Sequence, residues 1–326
     1  MDILCVGQLV ADVVVRPVDA LPFPGRTDLV EILQINSGGC AANTAAVLAK
    51  LGAQVRLAAL IGQDVLGDAA LADVKRTGLC LDAVVRDAAN PTSAALVLIS
   101  SSGERSFIYR NGSNEKFSNS HLPDAVLKSA GIIHVGGALK MLRLDLGELF
   151  TRAKSFGAIT SLDTDWDPNG LWMQRLGAAL PKTDYLITNQ EEAAMLAGKE
   201  DPRAAARELL ARGPQAVIVK RGEHGSMLCS PTAEIDLPAY RVEVRDTTCA
   251  GDSFVAGFLF GLSRGRPLAE AMRLGNAAGA LCTTQLSHHG VTSLADLHQL
   301  IQSQPIPPSP PAGGTAGTVP RMNLLH

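Results

Sequence analysis

Asp246-Thr247-Thr248-Cys249-Ala250-Gly251-Asp252 runs directly into SFVAGFLFGLSRG, an apolar stretch of helical character. An acid therefore stands where a helix begins. The free N–H groups of a helix start, together with the positive end of its dipole, favour an anion such as the terminal phosphate of a nucleotide. The carboxylate of Asp252 is ionised at neutral pH and can accept the proton of a hydroxyl as that oxygen attacks phosphorus. The chemistry on offer is phosphoryl transfer. The plain alternative is a helix N-cap, a role for which Asp is among the preferred residues.

Far upstream, Gly38-Gly39-Cys40-Ala41-Ala42-Asn43-Thr44 leads into AAVLAKLG. Asn43, Thr44, Val47, Leu48 and Leu51 follow a helical period that ends at Gly52. Paired glycines let backbone N–H groups approach a ligand, and an Asn amide donates to one hydroxyl while accepting from another. Helix packing and an N-cap would explain the same residues. Asn189 followed by Glu192 has the spacing of a capping box. Gly222 and Gly225, after the apolar run QAVIVK, have the look of a turn, and Asp12 by itself is an acid in a strand.

Taken together, the two glycine-rich segments resemble the signatures of the PfkB, or ribokinase-like, carbohydrate kinase family. Gly38-Gly39-x-x-x-Asn43 matches the family's sugar-binding signature and the Asp246–Asp252 segment its Asp-Thr-x-Gly-Ala-Gly-Asp phosphate signature, with Cys249 where the family usually has glycine. In order along the chain come Gly7 and Asp12, the double glycine, Gly62-Gln63-Asp64-x-x-Gly67, Asn189-x-x-Glu192, Lys220-Arg221-Gly222-x-x-Gly225 and Asp252. The resemblance implies a three-layer αβα sandwich carrying a small β lid. It implies that Asp12, Gly38, Gly39 and Asn43 bind the sugar and that Asp252 is the base beside the backbone N–H groups of Cys249, Ala250 and Gly251. It further implies Mg²⁺ ordered by Asn189 and Glu192, Lys220 near the phosphates of ATP, and a nucleotide loop at Gly222 and Gly225. Asn276 would line the adenine pocket. Asp246 and Thr248, with Ser293 as a weaker candidate, would offer oxygens to the K⁺ site that many family members carry.

The elements that must position these groups are also visible. Strand-length apolar runs (ILCVG, VRLAALIG, GIIHVGG, AITSLD, YLITN, QAVIVKRG) alternate with helical patterns from Val65 to Thr77, Leu144 to Phe156 and Pro202 to Arg212, each ending at a glycine. That alternation predicts an α/β fold with a mostly parallel central sheet covered on both faces. It breaks over residues 9 to 36 and 92 to 118, where LVADVVVR, LVEILQI, AALVLIS and RSFIYR read as strands without helices between them. The resemblance makes these the lid, which would exclude water from the sugar; a plain extension of the core is the alternative. Residues 1 to 304 form the expected kinase domain, and the Pro- and Gly-rich stretch from 305 to 326 is expected to be a flexible tail.

Hydrophobic content of 46% can fill one large core, and a net charge of −3 gives no basic footprint for nucleic acid. Six cysteines show no metal-ligand spacing, no apolar run is long enough to span a bilayer, and a strand begins at once, so the expectation is a cytoplasmic protein without membrane contact. There is no Walker segment, which argues against a P-loop ATPase, and no G-x-G-x-x-G after the first strand, which argues against a dehydrogenase. In RSFIYR, alternation sets Phe107 and Tyr109 on one face and Ile108 and Arg110 on the other. An aromatic face toward the site would stack on a sugar or nucleobase; Arg110 would bind a carboxylate or phosphate of the substrate. A free sugar or sugar acid of the ribose, fructose or 2-keto-3-deoxygluconate type is the first reading. An adenosine-type ribonucleoside is the second, and a non-catalytic sensor of the same fold the third. An exposed apolar lid face would call for a homodimer.

Overall fold

The computed structural model describes residues 1–167, 169–285, 291 and 293–305. The expected tail from 306 onward, His288, His289 and Gly290 lie outside these residues. Nine strands form one sheet: β1 (Ile3–Gly7), β4 (Val55–Gly62), β5 (Cys80–Asp87), β8 (Ile132–Gly136), β9 (Ile159–Asp163), β10 (Tyr185–Asn189), β11 (Ala216–Lys220), β12 (Ser226–Cys229) and β13 (Glu234–Leu237). Their spatial order is β13-β12-β11-β10-β9-β8-β1-β4-β5. All neighbours are parallel except β11 with β12 and β12 with β13.

Eleven α-helices are present among the described residues: α1 (Cys40–Lys50), α2 (Val65–Lys75), α3 (Ser113–Lys116), α4 (Asp124–Lys128), α5 (Leu146–Ser155), α6 (Trp172–Leu176), α7 (Gln190–Ala197), α8 (Pro202–Leu210), α9 (Ala250–Ser263), α10 (Leu268–Cys282) and α11 (Leu294–Ser303). The three helices expected from glycine stops all form, each ending two residues or fewer short of the expected end. Leu144 and Asp145 precede α5, because Asp145 caps it by accepting from Glu148 N. Asp201 caps α8 in the same way, with Pro202 at the first helical position, where its missing N–H costs nothing.

β1 shows why the sheet is covered twice. All five of its residues are buried, and alternation sends Ile3 and Cys5 into one core with residues of α1, α9 and α10, while Leu4 and Val6 enter a second core with residues of α5, α7 and α8. The layers are therefore helix, sheet, helix. In such folds ligands collect beyond the carboxyl ends of the parallel strands. Here Gly7, Gly136, Asp163, Asn189 and Lys220 are the last residues of β1, β8, β9, β10 and β11, five neighbours in the sheet.

The lid is real and slightly smaller than expected. β2 (Val10–Arg16), β3 (Ile32–Gly38), β6 (Ala94–Ile99) and β7 (Arg105–Arg110) make a separate sheet in the order β3-β2-β6-β7. Leu29, Val30 and Glu31, expected in the strand that forms as β3, stand outside it, and residues 113 to 116 are helical instead of lid. β2 pairs parallel to β6 and the outer pairs are antiparallel. The Gly62–Gly67 segment ties the entry to β6 to the start of α2. Asp64 caps α2 through Gly67 N and also accepts from Thr92 N at 2.8 Å and Thr92 Oγ1 at 2.6 Å, two residues before β6 begins.

Candidate active site

The two glycine-rich signatures, some 200 residues apart in sequence, meet. Asn43 Nδ2 donates to Asp252 Oδ2 at 2.8 Å, and Thr44 Oγ1 donates to the Asp252 carbonyl at 3.3 Å, so α1 and α9 are pinned at their N-terminal ends. Gly38 makes room for Asp12, since a Cβ here would fall 2.0 Å from Asp12 Oδ2 and the carboxylate would have to move. Gly39 has φ +96°, and a Cβ on it would meet the Gln8 carbonyl at 2.6 Å. The glycines thus let Asp12 and the start of α1 come together. Asp12, Asn43 and Asp252 line one polar site between lid and sheet.

Burial pushes the Asp252 carboxyl up to about 6, opposed by the Asn43 hydrogen bond and the Lys220 ammonium. Asp12 rises to about 7 through burial and the charge on Asp252, with Lys140 acting the other way. A carboxylate raised toward neutrality is a better proton acceptor that is still ionised at pH 7 to 8. Lys220 Nζ lies 2.7 Å from Asp163 Oδ1, with the Asp163 side chain buried and that of Lys220 mostly so. Burial opposes the charge on Lys220, yet Asp163 and then Glu192 outweigh it and keep the ammonium charged. Burial drives Asp163 upward, and Lys220 draws it back. A Cβ on Gly251 would stand 3.2 Å from Lys220 Nζ, which places that ammonium beside the backbone of the phosphate signature.

The start of α9 is unusual. Cys249 is its N-cap residue with φ +62°, in the left-handed region, and among the described residues only one other non-glycine residue, Trp172, has positive φ. The backbone therefore adopts the turn that glycine would favour, with a side chain in place, at a strain of roughly 1–2 kcal/mol. Of the N–H groups at this helix start, that of Ala250 makes a long bond, 3.3 Å, to the Thr247 carbonyl.

A model of the pfkB family of carbohydrate kinases matches residues 1–293. The chain belongs to that family. Similar relatives include an ATP-dependent ribose-1-phosphate kinase of Halopiger xanaduensis, 29% identical over 86% of this chain and 90% of the relative. A nucleoside kinase of Methanothermobacter thermautotrophicus is 27% identical over 86% of this chain and 88% of its own length. Among solved structures, Arabidopsis thaliana ribokinase complexed with ribose and ATP superposes with a TM-score of 0.80 at 25% identity, covering 92% of this chain and 98% of the other. The expected ribokinase-like fold is thereby established, and with it a phosphotransferase that acts on carbohydrate alcohol groups.

In this pfkB kinase the remaining expected residues fall into groups. Asn189 and Glu192 form the complete capping box of α7: Asn189 Oδ1 accepts from Glu192 N at 2.7 Å and Glu192 Oε2 from Asn189 N at 3.1 Å. Glu192 Oε2 also accepts from Thr164 and Thr188 hydroxyls. Gly222 and Gly225 both have positive φ, and a Cβ on Gly225 would strike the Leu237 carbonyl at 2.0 Å, so Gly225 serves the close approach of the segment after β13. Asn276 bridges Ser226 Oγ at 2.8 Å and the Pro238 carbonyl at 3.0 Å, tying α10 to the same region. Asp246 accepts from Thr248 N and Oγ1 within the loop. Ser293 is the cap of α11.

The structure does not bring Arg110 to the site. It is exposed and stands in alternation with Ile108, whereas Phe107 lines a cavity with Asp12, Gln34, Asn36, Asp246 and Thr248. Phe107, rather than Arg110, lines that cavity.

Sequence reasoning missed several groups. Lys140, just after β8, pairs with Asp165 at 2.6 Å and lies over the Tyr109 ring at 5.4 Å, while Gln8 bonds the Gly137 carbonyl at 2.8 Å. Cys40, Asp163 and Asp252 bring their ligand atoms within 4.8 Å of one another. Arg105, not Arg110, reaches across from the lid. Gln8, Lys140, Asp163 and Asp165 lie at or just beyond the carboxyl ends of β1, β8 and β9, so the strand-end rule could have flagged them, whereas Asp252 is already the expected base. Nothing in the local sequence distinguishes Arg105 from Arg110.

Proposed function

We propose that this kinase transfers the terminal phosphate of Mg·ATP to a hydroxyl of a free sugar or sugar acid, with Asp252 as the general base. The observation that carries the reading is the Asn43–Asp252 hydrogen bond. It joins the sugar-binding helix to the helix that begins at the phosphate signature, with Asp12 on the lid side of the same site. Asp12 and Asn43 hold the sugar hydroxyls, and a hydroxyl beside Asp252 gives up its proton as its oxygen bonds to phosphorus and the bond to ADP breaks. The N–H groups of Cys249, Ala250 and Gly251 receive the charge that develops on the transferred phosphoryl group. Lys220, held charged beside Gly251, faces the same charge. Positioning and electrostatics supply most of the rate.

Magnesium prefers hard oxygen donors and retains waters. Glu192 fits, because among the described residues the hydrogen bonds to its carboxylate all fall on Oε2, and Asn189 beside it would order the metal's waters. The metal would neutralise phosphate charge. Gly222, Gly225 and Asn276 shape the nucleotide side of the cleft. An aromatic inner lid face, with Phe107 and Tyr109, favours a ribonucleoside as the second reading; the nucleoside kinase among the relatives agrees with it. Retained Asp252, Gly251 and the Asn189–Glu192 pair favour an enzyme over a sensor.

Six free cysteines suit a reducing, cytoplasmic compartment, and among the described residues no helix is long and apolar enough to cross a membrane. The outer lid face carries Val13, Val15, Leu33, Ile35, Leu98 and Ile108, with Leu33 70% and Ile108 57% exposed, and a second copy docked lid to lid would cover it. The deciding experiment is ADP release from Mg·ATP across free sugars, sugar acids, sugar phosphates and nucleosides, beside Asp252→Asn. Turnover of one substrate that vanishes in the variant supports the reading. Inertness toward the whole panel, with ATP still bound, would return the sensor.

A further inference from the structure

The loop before the phosphate signature holds a nearly buried acid, Asp246, whose side chain is 8% exposed. A carboxylate in such a place needs a countercharge. The resemblance assigns that duty to an alkali cation, with Asp246 and Thr248 as oxygen donors. Here the positive charge is already supplied by the protein. Arg105 Nη1 lies 3.4 Å from Asp246 Oδ1 and donates to Thr248 Oγ1, while Nη2 donates to Thr247 Oγ1 at 2.6 Å. The planar guanidinium thus engages the side-chain oxygens of three consecutive residues, a match that its fixed fork of donors makes specific. An alkali ion at the same oxygens would sit against a permanent like charge. These residues therefore do not fit an alkali cation while Arg105 is docked.

Arg105 is the first residue of β7 and belongs to the lid, whereas Thr248 immediately precedes Cys249 and the helix start that faces phosphate. We propose that Arg105 is the resident cation of this loop: a positioning residue that holds residues 246–248 in place when the lid is docked and makes phosphoryl transfer independent of alkali metal ions. Docking of the lid over the sugar and ordering of the phosphate loop then become one event, since the same side chain belongs to both. Arg105 acts through the loop and touches no reacting atom. The activity arm of the test rests on the phosphoryl-transfer reading; the exchange arm does not.

Turnover is measured in potassium, sodium and tetramethylammonium chloride at equal ionic strength for the natural protein, Arg105→Ala and Arg105→Lys. Amide hydrogen exchange over residues 246–251 is followed in the same salts, and thermal melts confirm folding. The expected result is natural turnover that agrees within about twofold across the salts. Arg105→Ala is expected to fall at least about tenfold in tetramethylammonium, to recover on adding potassium or guanidinium, and to exchange faster in the loop until either ion is added. Arg105→Lys should lie between them. Collapse of natural turnover in tetramethylammonium overturns the inference. So does an Arg105→Ala variant with unchanged turnover and exchange, or one whose loss neither ion repairs. If no substrate is turned over in any salt, the phosphoryl-transfer reading fails, and loop exchange alone decides the role of Arg105.

Discussion

Replacing Asp252 with Asn should make the protein more stable and nearly inactive at once. Burial raises this carboxyl from its ordinary 3.8 to about 6, even though Asn43 and Lys220 pull it down. In the unfolded chain it ionises near pH 4, so between about pH 4 and 6 the folded state holds more protons and stability falls as pH rises. Above pH 6 the full cost of the buried charge is present. The shift corresponds to about 3 kcal/mol as an upper figure, since each tenfold change in affinity is about 1.4 kcal/mol and Asp252 retains some exposure. Asn has nearly the same shape and no charge to bury, and its absence of charge also lets Asp12 ionise more readily. Thermal melts at pH 8 should therefore place Asp252→Asn several degrees above the natural protein, with the gap closing below pH 4. Phosphoryl transfer should drop about 10²- to 10⁴-fold, the contribution of a general base. A variant that melts at or below the natural temperature at pH 8, or keeps more than a tenth of the activity, would refute the account of a strained, buried base.

Asp12 at about 7 and Asp252 at about 6 both act as carboxylates, so kcat/KM should decline as pH falls through 7 to 6 as one coupled limb; Asn43→Ala removes a bond that lowers Asp252, and its limb should move to higher pH, visible in a pH–rate profile. Cys249 already holds a left-handed backbone, so Cys249→Gly should change stability by no more than about 1 kcal/mol, relief of strain being offset by glycine's unfolded freedom. Cys249→Val should lower both the melting temperature and kcat/KM for ATP, and equal behaviour of the two variants would contradict that geometry. Lys220→Met strips the countercharge from buried Asp163 and should destabilise by about 3–5 kcal/mol, more at high pH; adding Asp163→Asn should restore much of the loss in denaturant titrations.

Much of this protein is legible locally. Alternation of strand-length apolar runs with glycine-stopped helices dictates the parallel sheet and its two helical layers, because a strand buried on both faces must be apolar throughout, as β1 is. The signatures around Asn43 and Asp252 also stand out, since backbone approach to a ligand demands particular residues at particular spacing. Capping at Asn189 and Glu192 follows from three-residue spacing alone and is present as expected. What the chain by itself leaves open is which distant groups share a site. Gly7 and Gly136 are register partners, as are Gly136 and Asp163, and Asn189 and Lys220; only the stacking order of the strands makes that row. Strand alternation separates Phe107 from Arg110 without saying which face turns inward, and pairing of β7 against β6 decides it. Arg105 and Arg110 are both arginines at the ends of one strand, yet only Arg105 lies where the lid meets the phosphate loop. Periodicity is a local property of the backbone, whereas contact across 140 residues depends on how two sheets pack, and that is settled only when the chain is folded.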